Sequence, residues 1–166
     1  MSGKNAPVFR VGQGWDIHRL VSGRALVLGG VRIDSAVGEE GHSDGDALLH
    51  AVTDALLGAL ALGDIGTHFP PSDPRWKDAD SRTFLTAAAA MARGRGWIAS
   101  NLDVTVILEA PKLGPYREAV RASLASCLGI DVEAVSFKAK TNEGLGAVGR
   151  NEAVEASAVC LLRRVD

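Results

Sequence analysis

The period of apolar and polar positions changes several times along the chain. From Val8 to His18, Phe9, Val11, Trp15 and Ile17 supply β-type residues and predict a first strand. Gly12 and Gly14 interrupt it, as at a bulge or a close backbone approach. Ala25–Leu28 and Val31–Ile33 flank Gly29-Gly30 and predict a hairpin. From Asp46 to Leu62 the pattern is that of a helix, apolar around most of its circumference, with Ser43 or Asp44 placed to cap it. Asp80-Ser81 opens a second helix, carried by Ala87–Ala90 and ended by Gly94 and Gly96. A strand over Leu102–Leu108 precedes a third helix, with Pro111 in its first turn and Gly129 at its close. Two last strands, Val135–Ala139 and Ala153–Arg163, flank a polar, glycine-rich loop. Hairpins mixed with helical crossovers predict an α/β domain, α+β-like, with a mixed β-sheet and helices packed on one face. No repeat or linker divides residues 1–166, which read as a single domain with residues 1–7 as a flexible N-terminal extension.

Composition narrows the function classes. The 166 residues carry 18 Lys plus Arg against 20 Asp plus Glu, a net charge of −2, which argues against nucleic acid as a partner. Apolar residues at 46% and charged residues at 23% exclude a disordered chain. No apolar run approaches the roughly 20 residues of a membrane span, and the first residues do not form a signal peptide. Cys127 and Cys160 sit in apolar segments and read as two buried thiols, which suits a cytoplasmic protein.

One cluster of residue types stands out chemically. Asp16 and His18 are two apart on a strand, so both side chains point to one face. Asp46, His50 and Asp54 form one polar stripe on the apolar helix, at i, i+4 and i+8. Buried carboxylates and imidazoles without partners are costly, so something must satisfy that stripe. One reading is a hydrogen-bonded His–Asp pair that knits the helix to its neighbours. The other makes His50 a third metal ligand beside Asp16 and His18, an open site suited to zinc or another divalent ion. Asp54 would then hold the His50 ring from behind, with Asp46 in a similar supporting role.

Other segments could face phosphate. Gly41–Asp46 leads into the helix N-terminus, where free N–H groups favour an anion or an ordinary cap. Carboxylates at Asp44, Asp46 and Asp16 would repel that anion unless a cation intervenes. Asp64 and Asp73 could accept sugar hydroxyls or simply punctuate turns. Lys112, expected at the positive end of the third helix, calls for a ligand phosphate or is a solvated lysine. Lys138–Gly146 brings a hydroxyl, an amide and a carboxylate to a glycine-rich turn, and Arg150 could grip a phosphate bidentately.

Taken together, Gly12–His18, Gly29–Ile33, His42–Gly58, Gly63–Gly66, Phe69-Pro70, Asp80-Ser81 and Gly149-Arg150 resemble the 2-C-methyl-D-erythritol 2,4-cyclodiphosphate synthase family, in one register from about Phe9 to the C-terminus. The resemblance implies a lyase of the non-mevalonate route, a homotrimer around a central axis, active sites between subunits and a cytidine diphosphate substrate. It implies that Asp16, His18 and His50 hold zinc and that Glu143 holds magnesium or manganese. His42, Ser43, Asp64, Ile65, Gly66, Phe69 and Asp73 would bind the phosphate and methylerythritol portions. Ala110, Pro111, Lys112, Leu113, Ala139, Lys140, Thr141, Asn142, Ala147 and Arg150 complete the implied substrate contacts. His42 and Thr141 match positions that stabilise the transition state. The chain departs from the family at Lys140, Asn142, Ala147 and Glu155, where threonines, an aromatic residue and a small residue are common. Two other classes share these residues: a zinc hydrolase, and a trimeric scaffold braced by metal, with His68 as a spare fourth ligand.

Overall fold

Two absent side chains set how closely helix and sheet approach. The computed structural model describes residues 8–165, so the expectation for residues 1–7 lies outside the described residues. In chain order it contains β1 (Phe9–Ser22), β2 (Leu26–Leu28), β3 (Val31–Ile33), β4 (Val37–Glu39), α1 (Ala47–Ala59), α2 (Ile65–His68) and α3 (Arg82–Arg93). Then come β5 (Trp97–Ile107), α4 (Arg117–Leu128), β6 (Val135–Lys140), α5 (Gly146–Gly149) and β7 (Ala153–Arg164). A Cβ on Gly12 would lie 1.9 Å from the Ala55 carbonyl oxygen, and one on Gly14 would lie 1.9 Å from that of Ala51. The glycines therefore mark a close backbone approach. Pairing of β1 with β7 runs unshifted from Phe9 to Arg19, so no bulge interrupts it.

The main sheet has the order β4-β1-β7-β5-β6. β5 and β6 are parallel, joined by the α4 crossover, and the other pairs are antiparallel. Helices cover one face, as the element order predicts. There Leu48, Leu49, Leu56 and Leu57 of α1 pack fully buried with Leu102, Val104, Val154 and Ala156. The opposite face is bare. Alternation along β1 leaves Phe9, Val11, Trp15 and Ile17 between 40% and 68% exposed, with Val159 of β7 among them. Trp15 donates from Nε1 to Glu155 on this open face. Cys160 is buried, whereas Cys127 is half-buried, and both are free thiols. Among the described residues no helix is long and apolar enough to cross a membrane.

Several boundaries differ from the sequence reading. Helix α1 is capped by Asp46, whose carboxylate accepts from Leu49 N; Ser43 and Asp44 direct their side chains to Gly45, Asp46 and Ser81 instead. It ends at Ala59, because Ala61 and Gly63 take positive φ and turn the chain before Leu62 is reached as helix. Strand β5 begins at Trp97, since a register shift between Ala99 and Asn101 breaks the alternation and hides its first residues. Pro111 does not open the third helix. It lies in the loop after β5, and α4 starts at Arg117, beyond the turn at Gly114–Tyr116. The proline that sits in the first helical turn is Pro115, at Gly114–Tyr116, so Lys112 is not at a helix start.

Candidate metal centre

Alternation along β1 points Asp16 and His18 towards α1, and the same packing brings His50 down onto them. One donor atom from each of the three lies within 4.8 Å of the others. His18 Nε2 is 3.1 Å, and His50 Nδ1 3.0 Å, from the same Asp16 oxygen, Oδ2. The two rings meet edge to face at 5.2 Å.

The remaining ring nitrogens fix which atoms are free to bind. His18 Nδ1 lies 2.6 Å from the Gly45 carbonyl, an obligate acceptor, so Nδ1 carries a proton and Nε2 faces inward. Ser81 Oγ donates to Asp44, so it accepts from His50 Nε2–H at 2.9 Å, and Nδ1 of that ring faces inward. Ser43 Oγ lies 3.2 Å from the same Nε2. Once the inward nitrogens give up their protons, two imidazole lone pairs and one carboxylate oxygen converge, with each ring held from behind. That donor set fits a divalent ion with an open coordination position.

The electrostatics agree. Burial alone would raise the Asp16 pKa, but hydrogen bonds and charge from His18 and His50 outweigh it and hold the carboxyl well below its usual range. Burial would lower the His18 pKa, but Asp16 and Glu39 outweigh it and raise it to about 10. In the metal-free protein at pH 8 Asp16 is thus ionised and His18 protonated. Ligation requires His18 to be neutral, so metal uptake at pH 8 is expected to release about one proton. Affinity should rise with pH until the His18 pKa is passed. Calorimetry in buffers of different ionisation enthalpy measures this; an affinity that does not change between pH 7 and 9 contradicts it.

The supporting residues are not those the helix stripe suggests. Asp54 does not touch the His50 ring; its carboxylate accepts from Ile65 N at 2.7 Å and anchors α2. Asp46 does not reach a ligand either. It is fully buried, and it accepts from Gly29 N, Gly30 N and Leu49 N, tying the β2–β3 hairpin to α1. Burial pushes its pKa up to about 7. Behind the two rings lie Glu39 and Gly45, at His18 Nδ1, and Ser81, at His50 Nε2. Only an acidic pair at Glu39-Glu40 and a capping serine at Ser81 hinted at them in the sequence. His68 is bound to the Leu62 carbonyl and is not in the cluster.

A cavity of about 300 Å³ opens above the triad, lined also by His42, Ser43, Ile65, Gly66, Phe69, Pro71, Trp76 and Phe84. Phe69, Trp76 and Phe84 pack against one another at 4.9–5.6 Å and form its aromatic wall. Trp76 and Phe84 had no signal in the sequence beyond their residue type. Asp64 and Asp73 serve as turn caps: Asp64 accepts from Thr67, and Asp73 is bound by Arg75. Neither is among the lining residues.

The other predicted contacts gather elsewhere. The segments after the parallel strands β5 and β6 emerge side by side, with Leu108 N bonded to the Lys140 carbonyl. They carry Ala110, Pro111, Lys112 and Leu113 on one side and Lys140, Thr141, Asn142 and Glu143 on the other. Ala139 lies just inside β6. Thr141 Oγ1 donates to Glu143, and Glu109 accepts from Asn142 N, which shapes the turn. Arg150 is exposed with its fork taken by Glu152, and Ala147 is exposed in α5. This group shares an end of the sheet with the triad, because Ile17, Glu155, Ile107 and Lys140 align in register. β5 and β6 lie two and three strand spacings from β1, about 10 and 14 Å, whereas Ala147 and Arg150 precede β7, the strand next to β1.

The comparisons with known proteins agree over nearly the whole length. The model of the YgbB family matches residues 9–163. A curated 2-C-methyl-D-erythritol 2,4-cyclodiphosphate synthase of Dechloromonas aromatica is 59% identical over 157 residues, covering 95% of this chain and 98% of its own. A solved 2C-methyl-D-erythritol-2,4-cyclodiphosphate synthase in its CDP-bound form superposes with TM-score 0.86 at 45% identity, over 92% of this chain and 99% of that one. The bifunctional IspDF from Campylobacter jejuni superposes with TM-score 0.91 at 37% identity, over 95% of this chain, which spans 43% of that longer protein.

Proposed function

The chain belongs to the YgbB family, and we propose that this enzyme closes 4-diphosphocytidyl-2-C-methyl-D-erythritol 2-phosphate into 2-C-methyl-D-erythritol 2,4-cyclodiphosphate, releasing CMP. One observation carries the reading: a metal-competent triad floors the cavity of a chain 59% identical to a named synthase.

The substrate's own 2-phosphate is anionic and serves as nucleophile. Its oxygen bonds to the β-phosphorus, the bond from that phosphorus to the α-phosphate oxygen breaks, and CMP departs with the electron pair. No serine or cysteine nucleophile is needed. Asp16, His18 and His50 would hold zinc and Glu143 magnesium or manganese, and when bound these ions would supply Lewis-acid charge to the phosphate oxygens. His42 and Ser43, at the cavity, orient the phosphate, and His42 with Thr141 donates to charge that develops in the transition state. Ile65 and Gly66 hold the methylerythritol portion, and the wall of Phe69, Trp76 and Phe84 keeps water away. Asp64 and Asp73 support those loops through their turn contacts.

Ala110–Leu113 and Ala139–Asn142 hold the cytidine diphosphate, with Ala147 and Arg150 beside them. Because the ends of β5 and β6 stand two and three strand spacings from the strand that carries Asp16 and His18, the complete site is assembled between neighbouring subunits of a homotrimer. The bare apolar face of β1 and β7 supports that assembly. Two free thiols suit a cytoplasmic setting.

The test is incubation with the cytidyl diphosphate substrate, zinc and magnesium, with mass spectrometry for products. CMP and the cyclic diphosphate are expected together, and a chelator should abolish both. Folded, zinc-loaded protein that makes neither product overturns the reading. Glu143→Gln is expected to retain zinc and lose the response of turnover to magnesium or manganese. An unchanged titration with those metals removes Glu143 from the second site.

A further inference from the structure

We propose that Glu39 is a positioning residue of the metal centre: its buried carboxylate sits behind His18 Nδ1, beside the Gly45 carbonyl that fixes the ring, and balances the charge of an ion held on Nε2. The inference rests on the metal reading of Asp16, His18 and His50 and adds a residue that this triad does not contain.

Glu39 ends β4 and is fully buried. Its Oε2 lies 3.1 Å from His18 Nδ1 and accepts from Ala47 N at 2.9 Å. Its Oε1 has no hydrogen-bond partner. Enclosing a carboxylate with one oxygen unsatisfied is costly. Local hydrogen bonding does not require it. The Gly45 carbonyl already accepts from His18 Nδ1–H at 2.6 Å, and an amide at position 39 would satisfy Ala47 N equally well. What distinguishes the glutamate from an amide at this position is the negative charge of its ionised form.

The triad explains where that charge is used. Two neutral imidazoles and Asp16 offer a dication a single negative charge, which leaves a positive surplus in a poorly solvated pocket. Glu39 removes that surplus from behind His18, where it occupies no coordination position. The open position above the triad then remains available to a phosphate oxygen. Asp46, the neighbouring buried carboxylate, is committed to three backbone N–H groups and does not face His18. The arrangement is a carboxylate–histidine–metal relay, and loss of such a partner typically weakens metal binding about 10–100-fold.

The experiment measures zinc affinity of the whole protein by competition with a chromophoric chelator. Glu39→Gln, close in shape but uncharged, is expected to bind zinc about 10–100-fold more weakly than the parent. Glu40→Gln, on the exposed neighbour that pairs with Arg19, should match the parent within about twofold. Folded Glu39→Gln protein with parental affinity overturns the role of Glu39 alone, whereas a parent that binds no zinc overturns the metal centre with it. Nitrogen NMR of the zinc-loaded parent tests the geometry without any substitution. His18 should show a slowly exchanging Nδ1–H with zinc on Nε2; zinc on Nδ1 overturns the proposal even if Glu39→Gln fails to fold.

Discussion

His50→Ala is expected to release the metal and to lower turnover by about 10³-fold. The alanine removes the only donor that α1 brings to the triad and leaves Asp16 with His18 alone. A bound metal contributes several kcal/mol of charge stabilisation in a phosphoryl transfer, and each 1.4 kcal/mol is about a factor of ten in rate. The substitution also orphans Ser81 Oγ, but that hydroxyl keeps its bond to Asp44, so the fold should survive. Metal analysis, thermal melting and product formation on one sample separate the effects. His68→Gln serves as the control, because His68 is bound to Leu62 O and lies outside the cluster. Full activity in a His50→Ala protein shown to be metal-free would remove the ligand role.

Gly14→Ala is expected to destabilise the fold by more than about 3 kcal/mol, the upper end of ordinary overpacking. The new methyl would meet backbone, with Ala51 O at 1.9 Å and Ala55 N at 2.7 Å, so no side-chain rotation relieves it. Either α1 lifts from the sheet or β1 shifts, and both movements pull His50 away from Asp16. For a chain of this size such a loss lowers the melting temperature by about 10 °C. The usual effect of Gly→Ala has the opposite sign, about 0.4–1 kcal/mol of stabilisation where the backbone permits it. Gly58→Ala offers that contrast on α1, since a Cβ there approaches nothing nearer than Gln13 O at 3.9 Å. It should raise the melting temperature while Gly14→Ala lowers it. Equal melting temperatures for Gly14→Ala and the parent would show that the close approach does not limit the fold.

The two glycines also show why some features were legible in the chain and others were not. Period-2 alternation put Asp16 and His18 on one face of β1, and helical spacing put His50 on the polar stripe of α1; both are local rules and both hold. The same stripe suggested that Asp54 holds His50. The ring's nitrogens instead meet Asp16 and Ser81, which are distant in sequence, and Asp54 turns to the loop at Ile65. The α1 cap was displaced from Ser43 or Asp44 to Asp46 for a similar reason, because the hairpin glycines supply further N–H groups to the Asp46 carboxylate.

The sequence by itself determined the element types, the faces of β1 and α1, and the three residues able to meet at a metal. Their spacing is set by strand and helix geometry, which acts over a few residues. Tertiary structure alone decided that Glu39, Gly45 and Ser81 meet those side chains, that Asp64 and Asp73 brace turns, and that the strand leading to Thr141–Glu143 stands three strand positions from β1. Those pairings depend on which strand lies beside which and how deeply a helix settles on glycine, and chain-local patterns carry no record of either.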